Sequence, residues 1–235
     1  MPRLEGPWTA SPCEVCHAWG PRRLCADCLA RFAPAVPRCR LCALRVAPGV
    51  EVCGHCLREP PPFGRTLCLA DYGFPWDRVI AAFKFNGHAE LALPLAEAFA
   101  GAVRAAGAAL PQTVLPVPLA RGRLAERGYN QAWELARRLA RLLGCRADAV
   151  LLLRPVETAH QADLERAQRL ANLRGAFMVD PARRSALQGR HVALVDDVMT
   201  TGATAREAAT TLLRAGAARV DLWVIARTPD PDETQ

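Results

Sequence analysis

Short apolar runs alternate along the chain with longer stretches in which hydrophobic residues recur at helical spacing. Continuous apolar runs are typical of buried strands, and the longer pattern is typical of amphipathic helices. The predicted strands are 67–72, 113–117, 150–153, 191–195 and 220–225, and the predicted helices are 76–85, 91–106, 130–143, 163–172 and 205–215. This alternation predicts an α/β domain built on a doubly wound, mostly parallel sheet.

The apolar run 191–195 ends in two adjacent acids, Asp196 and Asp197. The small polar segment that follows contains Thr200, Thr201, Gly202, Ala203 and Thr204, and a helical pattern begins directly after it. Backbone N–H groups at a helix N-terminus bind phosphate, hydroxyls add donors, and carboxylates accept hydrogen bonds from ribose hydroxyls. The string therefore predicts a site for a phosphorylated sugar; the alternative is an ordinary strand–turn–helix unit with two incidental acids.

A basic segment follows the predicted strand 113–117. It contains Arg121, Gly122, Arg123, Arg127 and Gly128, and the next helical pattern starts at Asn130. Fixed positive charge beside open backbone N–H groups suits a pyrophosphate, so the segment predicts a pyrophosphate site. The alternative interpretation is a solvated basic loop. Because ligands of such sheets bind at the carboxyl ends of the strands, this segment and the two acids are expected at one edge of the sheet.

Four CxxC pairs occupy the first quarter of the chain. They are Cys13 with Cys16, Cys25 with Cys28, Cys39 with Cys42, and Cys53 with Cys56. Two such pairs complete a closed, tetrahedral Cys₄ site, so the pattern predicts two structural zinc sites. Consecutive pairing leaves spacers that fit β-hairpin ribbons, and interleaved pairing is equally open at this point. His17 and His55 are expected to be bystanders.

Length and composition divide the chain into a small head and a medium domain. Of its 235 residues, 51% are hydrophobic, and a Pro-rich linker at 59–62 predicts a zinc-ribbon domain over 1–60 and an α/β domain over 61–235. Ten cysteines without a secretory signal indicate metal chemistry in a cytoplasmic protein. No apolar run is long enough to predict insertion into a membrane.

The net charge of +7 is carried almost entirely by arginine, since Lys84 is the single lysine. Arginine suits bidentate contacts with phosphate, although an arginine-preferring codon usage accounts for most of the Arg-to-Lys ratio. Clustered arginines, together with Trp8, Trp19 and Trp76 as candidates for stacking bases, give partial support to nucleic-acid binding, although each tryptophan taken alone is more often a packing residue.

Five segments together resemble one protein family. They are the four CxxC pairs, Phe83-Lys84-Phe85, Pro116-Val117-Pro118 with Arg127-Gly128-Tyr129-Asn130-Gln131, the series Thr158, Gln161, Leu164, Arg166, Arg169, Asn172 and Phe177, and the string around Asp196. In this order they resemble the ComF family, the competence-associated phosphoribosyltransferase-like proteins of the ComFC and GntX types. The resemblance extends from Cys13 to about residue 225.

The resemblance implies a type I phosphoribosyltransferase fold that binds phosphoribosyl pyrophosphate (PRPP) together with Mg²⁺. Asp196 and Asp197 would contact the ribose hydroxyls, and Thr200, Thr201, Gly202, Ala203 and Thr204 the 5′-phosphate. Arg121, Arg127, Gly128 and Asn130 would hold pyrophosphate, and Arg154, Gln161, Arg166 and Arg169 would belong to a mobile catalytic loop. Lys84, with the flanking Phe83 and Phe85, would form part of a hood over the acceptor. For the two phenylalanines, packing in the core is the alternative.

Two functions are compatible with these features. The first is a PRPP-binding protein of natural competence that handles incoming single-stranded DNA at the inner face of the membrane, with helicase or channel components as further candidate partners. The second is a true phosphoribosyltransferase that acts on an unidentified nucleobase or amine. Thr200 stands where purine salvage enzymes of the hypoxanthine–guanine type carry an Asp, which argues against that class.

The head should depend on its metal, because its sequence offers little apolar material for a core of its own. Chelation is therefore expected to unfold residues 1–60, since the metal supplies folding free energy in small Cys₄ domains. Circular dichroism and limited proteolysis of a sample verified as metal-free would measure this. Full retention of the head structure in that sample would contradict the prediction.

Overall fold

The head consists of short elements arranged around the CxxC pairs. In the computed structural model, which describes residues 10–85, 87–155 and 175–230, strands β1 (Ser11–Pro12) and β2 (Trp19–Gly20) form an antiparallel hairpin. Helix α1 (Ala26–Phe32) begins within the second CxxC pair, and α2 (Gly54–Arg58) begins within the fourth. The expected ribbons are thus combined with helices that start at Cys25 and Cys53.

A five-stranded sheet forms the centre of the molecule. Its strands are β3 (Arg65–Asp71), β4 (Thr113–Pro116), β5 (Arg146–Ala147), β8 (His191–Met199) and β9 (Arg219–Arg227), in the order β3-β9-β8-β4-β5. All four neighbouring pairs are parallel. The parallel, doubly wound sheet predicted from the alternating pattern is therefore confirmed.

Helices follow the strands, as a parallel sheet requires. They are α3 (Trp76–Phe85), α4 (Ala92–Ala105), α5 (Arg121–Arg127), α6 (Gln131–Leu143) and α7 (Ala203–Arg214). One-turn and two-turn 3₁₀ segments lie at Ala89–Leu91 and Pro181–Leu187. A separate antiparallel pair is formed by β6 (Leu152–Leu153) and β7 (Met178–Val179).

Both faces of the sheet are buried, which explains why its strands are continuously apolar. Ala193 and Val195 of β8 face a core shared with α3, α4 and α6, whereas Val192 and Leu194 face a second core shared with α7. The alternation of side chains along a strand sends neighbouring residues to opposite faces. Strand β8 is consequently held by cores above and below it and by β4 and β9 at its sides.

Some predicted elements differ from the structure. Strand β8 continues through both acids to Met199 rather than ending at Val195. The segment expected to be a basic loop is helix α5, and the predicted strand 150–153 is reduced to β6, outside the main sheet. The predicted helix 163–172 lies outside the described residues.

The two halves of the head pack on opposite faces of the sheet. Leu24 belongs to the core under α3, α4 and α6, while Cys39, Cys42 and Cys56 belong to the core under α7. The indole of Trp76 donates from Nε1 to the Phe32 carbonyl at 2.6 Å. Trp76 is only 2% exposed, so its prediction as a stacking residue is wrong. The domain boundary near residue 60 remains a prediction.

Within the part of the chain that the structure describes, no helix combines the length and apolarity needed to cross a membrane.

Candidate functional site

A cavity of about 50 Å³ opens where β8 ends and α7 begins. Asp196 and residues 198–205 form most of its wall, and Leu222 and Val224 of β9 complete it. The cavity lies at the carboxyl end of the parallel strands, which is the edge at which ligands of such sheets bind. The structure thus brings Asp196 and the five predicted 5′-phosphate residues around one space, whereas Asp197 does not line it. Residues 200–204 are called the phosphate loop below.

Helix α7 presents unsatisfied backbone N–H groups to this cavity. Gly202 precedes the helix at φ 77° and provides no side-chain cap. The first helical hydrogen bond runs from the Arg206 N–H to the Gly202 carbonyl at 2.8 Å, so the N–H groups of Thr204 and Ala205 have no acceptor within the helix. These donors and the positive end of the helix dipole together favour an anion.

The two acids have different environments although they are adjacent. Asp197 is 3% exposed, and its Oδ2 lies 2.9 Å from Lys84 Nζ in an ion pair. Asp196 lies in the cavity wall, where its Oδ1 accepts the Asp197 N–H at 2.9 Å. Burial and the neighbouring Asp197 carboxylate raise the pKa of Asp196 to about 8, against the smaller opposing effect of Lys84. Asp196 is therefore the acid that can meet a ligand.

Lys84 reaches the acid pair from the last turn of α3. The Tyr129 hydroxyl donates to the Phe83 carbonyl and so fixes the end of that helix. Phe83 is buried in the core, as the packing alternative for it predicted, while Phe85 is 66% exposed. The structure thus places the Lys84 ammonium on Asp197. This contact does not test the prediction that Lys84 contributes to a hood over the acceptor.

Two arginines, Arg127 and Arg154, also lie near this part of the molecule. The Arg127 guanidinium lies over the Phe85 ring at 4.8 Å, and its Nη1 is buried without a hydrogen-bond partner. Arg154 lies over Phe177 at 5.5 Å. Burial and then repulsion from Arg123 lower the pKa of Arg154, while attraction to Asp196 raises it. Arg154 is therefore close enough to Arg123 and to Asp196 to feel the charge of each.

The other predicted pyrophosphate residues have structural contacts. Asn130 caps α6, since its Oδ1 accepts the Ala132 N–H at 2.9 Å and its Nδ2 donates to the Val117 carbonyl at 3.2 Å. Gly128 ends α5 at φ 76°. Arg121 is exposed on the first turn of that helix. The predicted loop residues Gln161, Arg166 and Arg169 lie outside the described residues.

Arg227 is a residue of this site that the sequence analysis missed. It ends β9, directly opposite Met199 of β8, and is 8% exposed. Its Nη1 donates to the carbonyls of Met199 at 3.1 Å and Thr200 at 2.5 Å, and its Nε to the Cys42 carbonyl at 2.9 Å. The only signal in the sequence is a charged residue at the end of an apolar strand.

The cysteines form two groups of four. The first Cys₄ group contains Cys13, Cys16, Cys25 and Cys28, and the second contains Cys39, Cys42, Cys53 and Cys56. Within each group all sulfurs lie within 4.8 Å of one another, so pairing is consecutive and not interleaved. Both groups are complete without His17 or His55.

The sulfur geometry fits a tetrahedral zinc site. Cys16 Sγ lies 3.8 Å from Cys25 Sγ, and Cys42 Sγ lies 3.6 Å from Cys53 Sγ. Four ligands at the usual Zn–S distance stand about 3.8 Å apart in a tetrahedron. The Cys53 N–H donates to Cys39 Sγ at 3.3 Å, as expected of a sulfur that carries negative charge. The residues present could therefore hold zinc in each group.

Exposed aromatic rings lie beside arginines where the head meets the carboxyl end of β3. Phe74 is 63% exposed and packs edge-to-face on Phe32 at 5.7 Å. The Arg78 guanidinium lies over Phe74 at 5.5 Å and that of Arg31 over Phe32 at 5.2 Å. These four residues are called the Arg–Phe cluster below. Trp19 is exposed as predicted, and Trp8 lies outside the described residues.

Comparison with curated proteins finds relatives along nearly the whole chain. "DNA utilization protein YhgH" of Salmonella typhimurium is 37% identical over 221 residues, which cover 92% of this chain and 94% of that protein. "Competence protein F" of Haemophilus influenzae is 32% identical over 87% of this chain and 90% of its own. "Competence protein ComFC" of Bacillus subtilis is 27% identical over 88% and 85%. No protein-family profile matches the chain.

Among solved structures, similarity is confined to part of the chain. The glutamine PRPP amidotransferase of Bacillus subtilis is 19% identical over 57% of this chain and 26% of that chain, with a TM-score of 0.39. A purine phosphoribosyltransferase from Pyrococcus horikoshii is 18% identical over 57% of this chain and 80% of its own, with a TM-score of 0.33. Scores this low carry no argument about function.

Gly202 should be required by the backbone at the phosphate loop. Gly202→Ala is expected to lower the free energy of unfolding by about 1–2 kcal/mol, because φ there is 77° and a side chain would meet Met199 Cε at 2.6 Å. Gly101→Ala, in the exposed face of α4 with open space around it, is the matched control and should raise stability by about 0.5–1 kcal/mol. Denaturant unfolding compares the two, and equal effects would contradict the argument.

Ionisation of Asp196 should lower the free energy of unfolding of the protein as the pH rises. Because its pKa is raised to about 8 in the fold, ionisation is disfavoured there, and stability falls between about pH 4 and pH 8. Asp196→Asn should therefore gain stability over the wild type, by about 1 kcal/mol at pH 8 and less at pH 5. Denaturant unfolding at both pH values measures this, with Asp27→Asn in α1 as the control for losing one carboxylate. A gain that does not depend on pH would refute the assignment.

Proposed function

The chain belongs to the ComF family, and from that premise we propose that it binds PRPP at the carboxyl end of β8 and handles single-stranded DNA in natural transformation. The observation that carries the first half is the cavity itself. It combines one accessible acid, Asp196, with free N–H groups at the start of α7. This pairing of acceptor and donors matches a ribose that carries a 5′-phosphate.

The 5′-phosphate is proposed to lie on the phosphate loop. The N–H groups of Thr204 and Ala205 and the hydroxyls of Thr200, Thr201 and Thr204 supply its donors. Asp196 accepts from the ribose hydroxyls, and Asp197, neutralised by Lys84, is the second acid of the proposed ribose site. This division follows from burial, because Asp197 does not reach the cavity wall.

The pyrophosphate is proposed to lie toward the arginines beyond Asp196. Arg127, with a buried donor that lacks a partner, and Arg154 with Arg123 beside it supply positive charge there. Mg²⁺, held mainly by PRPP oxygens and water, would neutralise further charge on the pyrophosphate. Arg121 remains a candidate for the same role from its exposed position on α5.

A role in DNA handling is supported by the relatives' names and by surface chemistry. Those proteins are called a DNA utilization protein and competence proteins. In this chain, the Arg–Phe cluster offers one exposed ring, that of Phe74, on which a base can stack, and arginines that can meet phosphates. It lies beyond the carboxyl end of β3, the same edge of the sheet as the PRPP cavity.

The proposed setting is the cytoplasmic side of the membrane, where transforming DNA arrives as a single strand. Helicase or channel components of the competence machinery are the candidate protein partners. The two Cys₄ groups are proposed to hold zinc, which would keep the Arg–Phe cluster and the cavity in a fixed relation because each half of the head packs on the sheet.

The alternative is a true phosphoribosyltransferase, and the cavity wall supplies an observation against it. Asp196 is the single titratable side chain among the described residues that line the cavity, and it is the proposed ribose ligand. Thr200 stands where purine salvage enzymes place an acid. Binding of PRPP is therefore the function proposed here, and transfer to an acceptor remains the alternative, since Gln161, Arg166 and Arg169 of the predicted catalytic loop lie outside the described residues.

PRPP binding is tested by calorimetry on the wild type and Asp196→Asn. At pH 9, above the pKa of about 8 for Asp196, the variant should bind PRPP at least about tenfold more weakly, since a hydrogen bond to a charged group contributes about 1.5–3 kcal/mol. Binding to a fluorescent single-stranded DNA is measured on the same samples and should be unchanged. Release of pyrophosphate during incubation with nucleobases would establish the transferase instead. Absence of PRPP binding by the wild type would refute the proposal.

DNA binding is tested by anisotropy across a range of salt concentrations. Phe74→Ala with Arg78→Ala should weaken single-stranded DNA binding about tenfold, and wild-type affinity should fall steeply with salt. Arg190→Ala, which removes an exposed arginine at the amino edge of the sheet, is the matched control. A flat salt response, or equal losses in the variant and the control, would contradict the role of the cluster.

A further inference from the structure

We infer that Arg227 is a positioning residue that aims the backbone N–H groups of the phosphate loop into the cavity and couples that loop to the second Cys₄ group. The inference rests on the proposed binding of PRPP at the loop. Arg227 does not line the cavity, so it acts through the peptide groups that it holds.

The pairing of β8 and β9 brings Arg227 to the loop. The parallel register runs from His191 opposite Arg219 to Met199 opposite Arg227, so the last residue of β9 faces the residue at which the loop begins. The two N–H groups of its Nη1 are shared among three carbonyls: that of Met199 at the end of β8, that of Thr200 in the phosphate loop, and that of Thr228 directly after β9, the last at 2.6 Å. The Thr228 N–H donates to the Met199 carbonyl as well, at 3.0 Å.

These contacts decide the direction of two N–H groups. In a trans peptide the C=O and the following N–H point in opposite directions. With the carbonyls of Met199 and Thr200 bound by Arg227, the N–H groups of Thr200 and Thr201 point away from it. Met199, Thr200 and Thr201 all line the cavity, whereas Arg227 does not. The guanidinium therefore presets two donors for an anion in the cavity.

The other end of the guanidinium contacts the head. Arg227 Nε donates to the carbonyl of Cys42, whose sulfur belongs to the second Cys₄ group. A buried guanidinium is costly unless its donors are satisfied, so each carbonyl contact restricts where the others can lie. A metal that fixes the Cys42 backbone thus also fixes Arg227, and through it the loop.

The first Cys₄ group makes a different contact. Its neighbouring helix α1 meets the opposite face of the sheet, where the Phe32 carbonyl accepts from Trp76 at the start of α3. The coupling inferred here is therefore a property of the second group, and it gives that half of the head a direct effect on ligand binding.

The test compares Arg227→Met, which keeps the bulk and removes the donors, with Arg227→Lys and with Arg219→Met. Arg219 is the matched control, since it lies at the other end of β9 and donates to Asp221 at 2.9 Å. PRPP affinity is measured by calorimetry, and hydrogen exchange is measured on the ligand-free protein over residues 198–205. Circular dichroism establishes that each variant is folded.

Arg227→Met should bind PRPP at least about tenfold more weakly and should exchange faster over 198–205. Arg227→Lys should fall between it and the wild type, because an ammonium cannot reproduce the planar fork of donors. Arg219→Met should stay within about twofold of the wild type in affinity. Equal affinity and equal exchange in Arg227→Met and Arg219→Met would overturn the inference.

Coupling to the Cys₄ group is tested by combining Arg227→Met with Cys56→Ser. Each change alone should weaken PRPP binding, and the double variant should lose little more than Arg227→Met, since both act through one path. Fully additive losses would overturn the coupling. Where Cys56→Ser fails to fold, Thr66→Val replaces it, because the Thr66 hydroxyl donates to the Leu41 carbonyl beside Cys42 at 2.6 Å.

The exchange measurement separates this inference from the proposed function. If the wild type does not bind PRPP, the proposed ligand is wrong, but faster exchange over 198–205 in Arg227→Met than in Arg219→Met still supports the positioning role. If the wild type binds PRPP and the two variants bind it equally, the positioning role is wrong and the ligand stands.

Discussion

The confinement of β8 is the constraint on which the rest of the structure depends. Neighbouring strands hold its backbone on both sides, and two separate cores hold alternate side chains above and below it. A strand held in this way cannot shift by one residue without sending its whole apolar set to the wrong core. Core packing therefore leaves little freedom to the positions of Asp196 and of the first turn of α7. A preorganised binding site needs its residues to be held in this way.

Sequence patterns predicted this core well because a short stretch of sequence is enough to identify a buried strand or an amphipathic helix. Helix α3 begins and ends where its periodicity predicted, and β4 differs from its prediction by one residue. Helix α5 was missed because it has no buried residue, so no apolar periodicity marks it among its arginines and glycines. The extension of β8 was missed because acids usually end a strand, whereas here Asp196 and Asp197 accept the N–H groups of the residues that follow them.

The site was predicted in part for the same reason. Asp196 and residues 200–204, which line the cavity, are close in sequence and were predicted together, whereas the contacts of Lys84 and Arg227 depend on which elements become neighbours. No local pattern states that Lys84 of α3 meets Asp197, or that β9 ends opposite Met199. The consecutive pairing of the cysteines was likewise open until the chain path brought the sulfurs together. Tertiary placement, more than residue type, was the missing information.

The single lysine of the chain is also the residue that neutralises Asp197. An amine-directed reagent consequently has one side-chain target in the whole protein, and that target lies beside the cavity. The α-amino group titrates at a lower pH than a lysine and can be modified separately. A reporter group or crosslinker attached by such chemistry would lie at one known position. Binding of a partner at this edge of the sheet could then be followed without introducing any mutation.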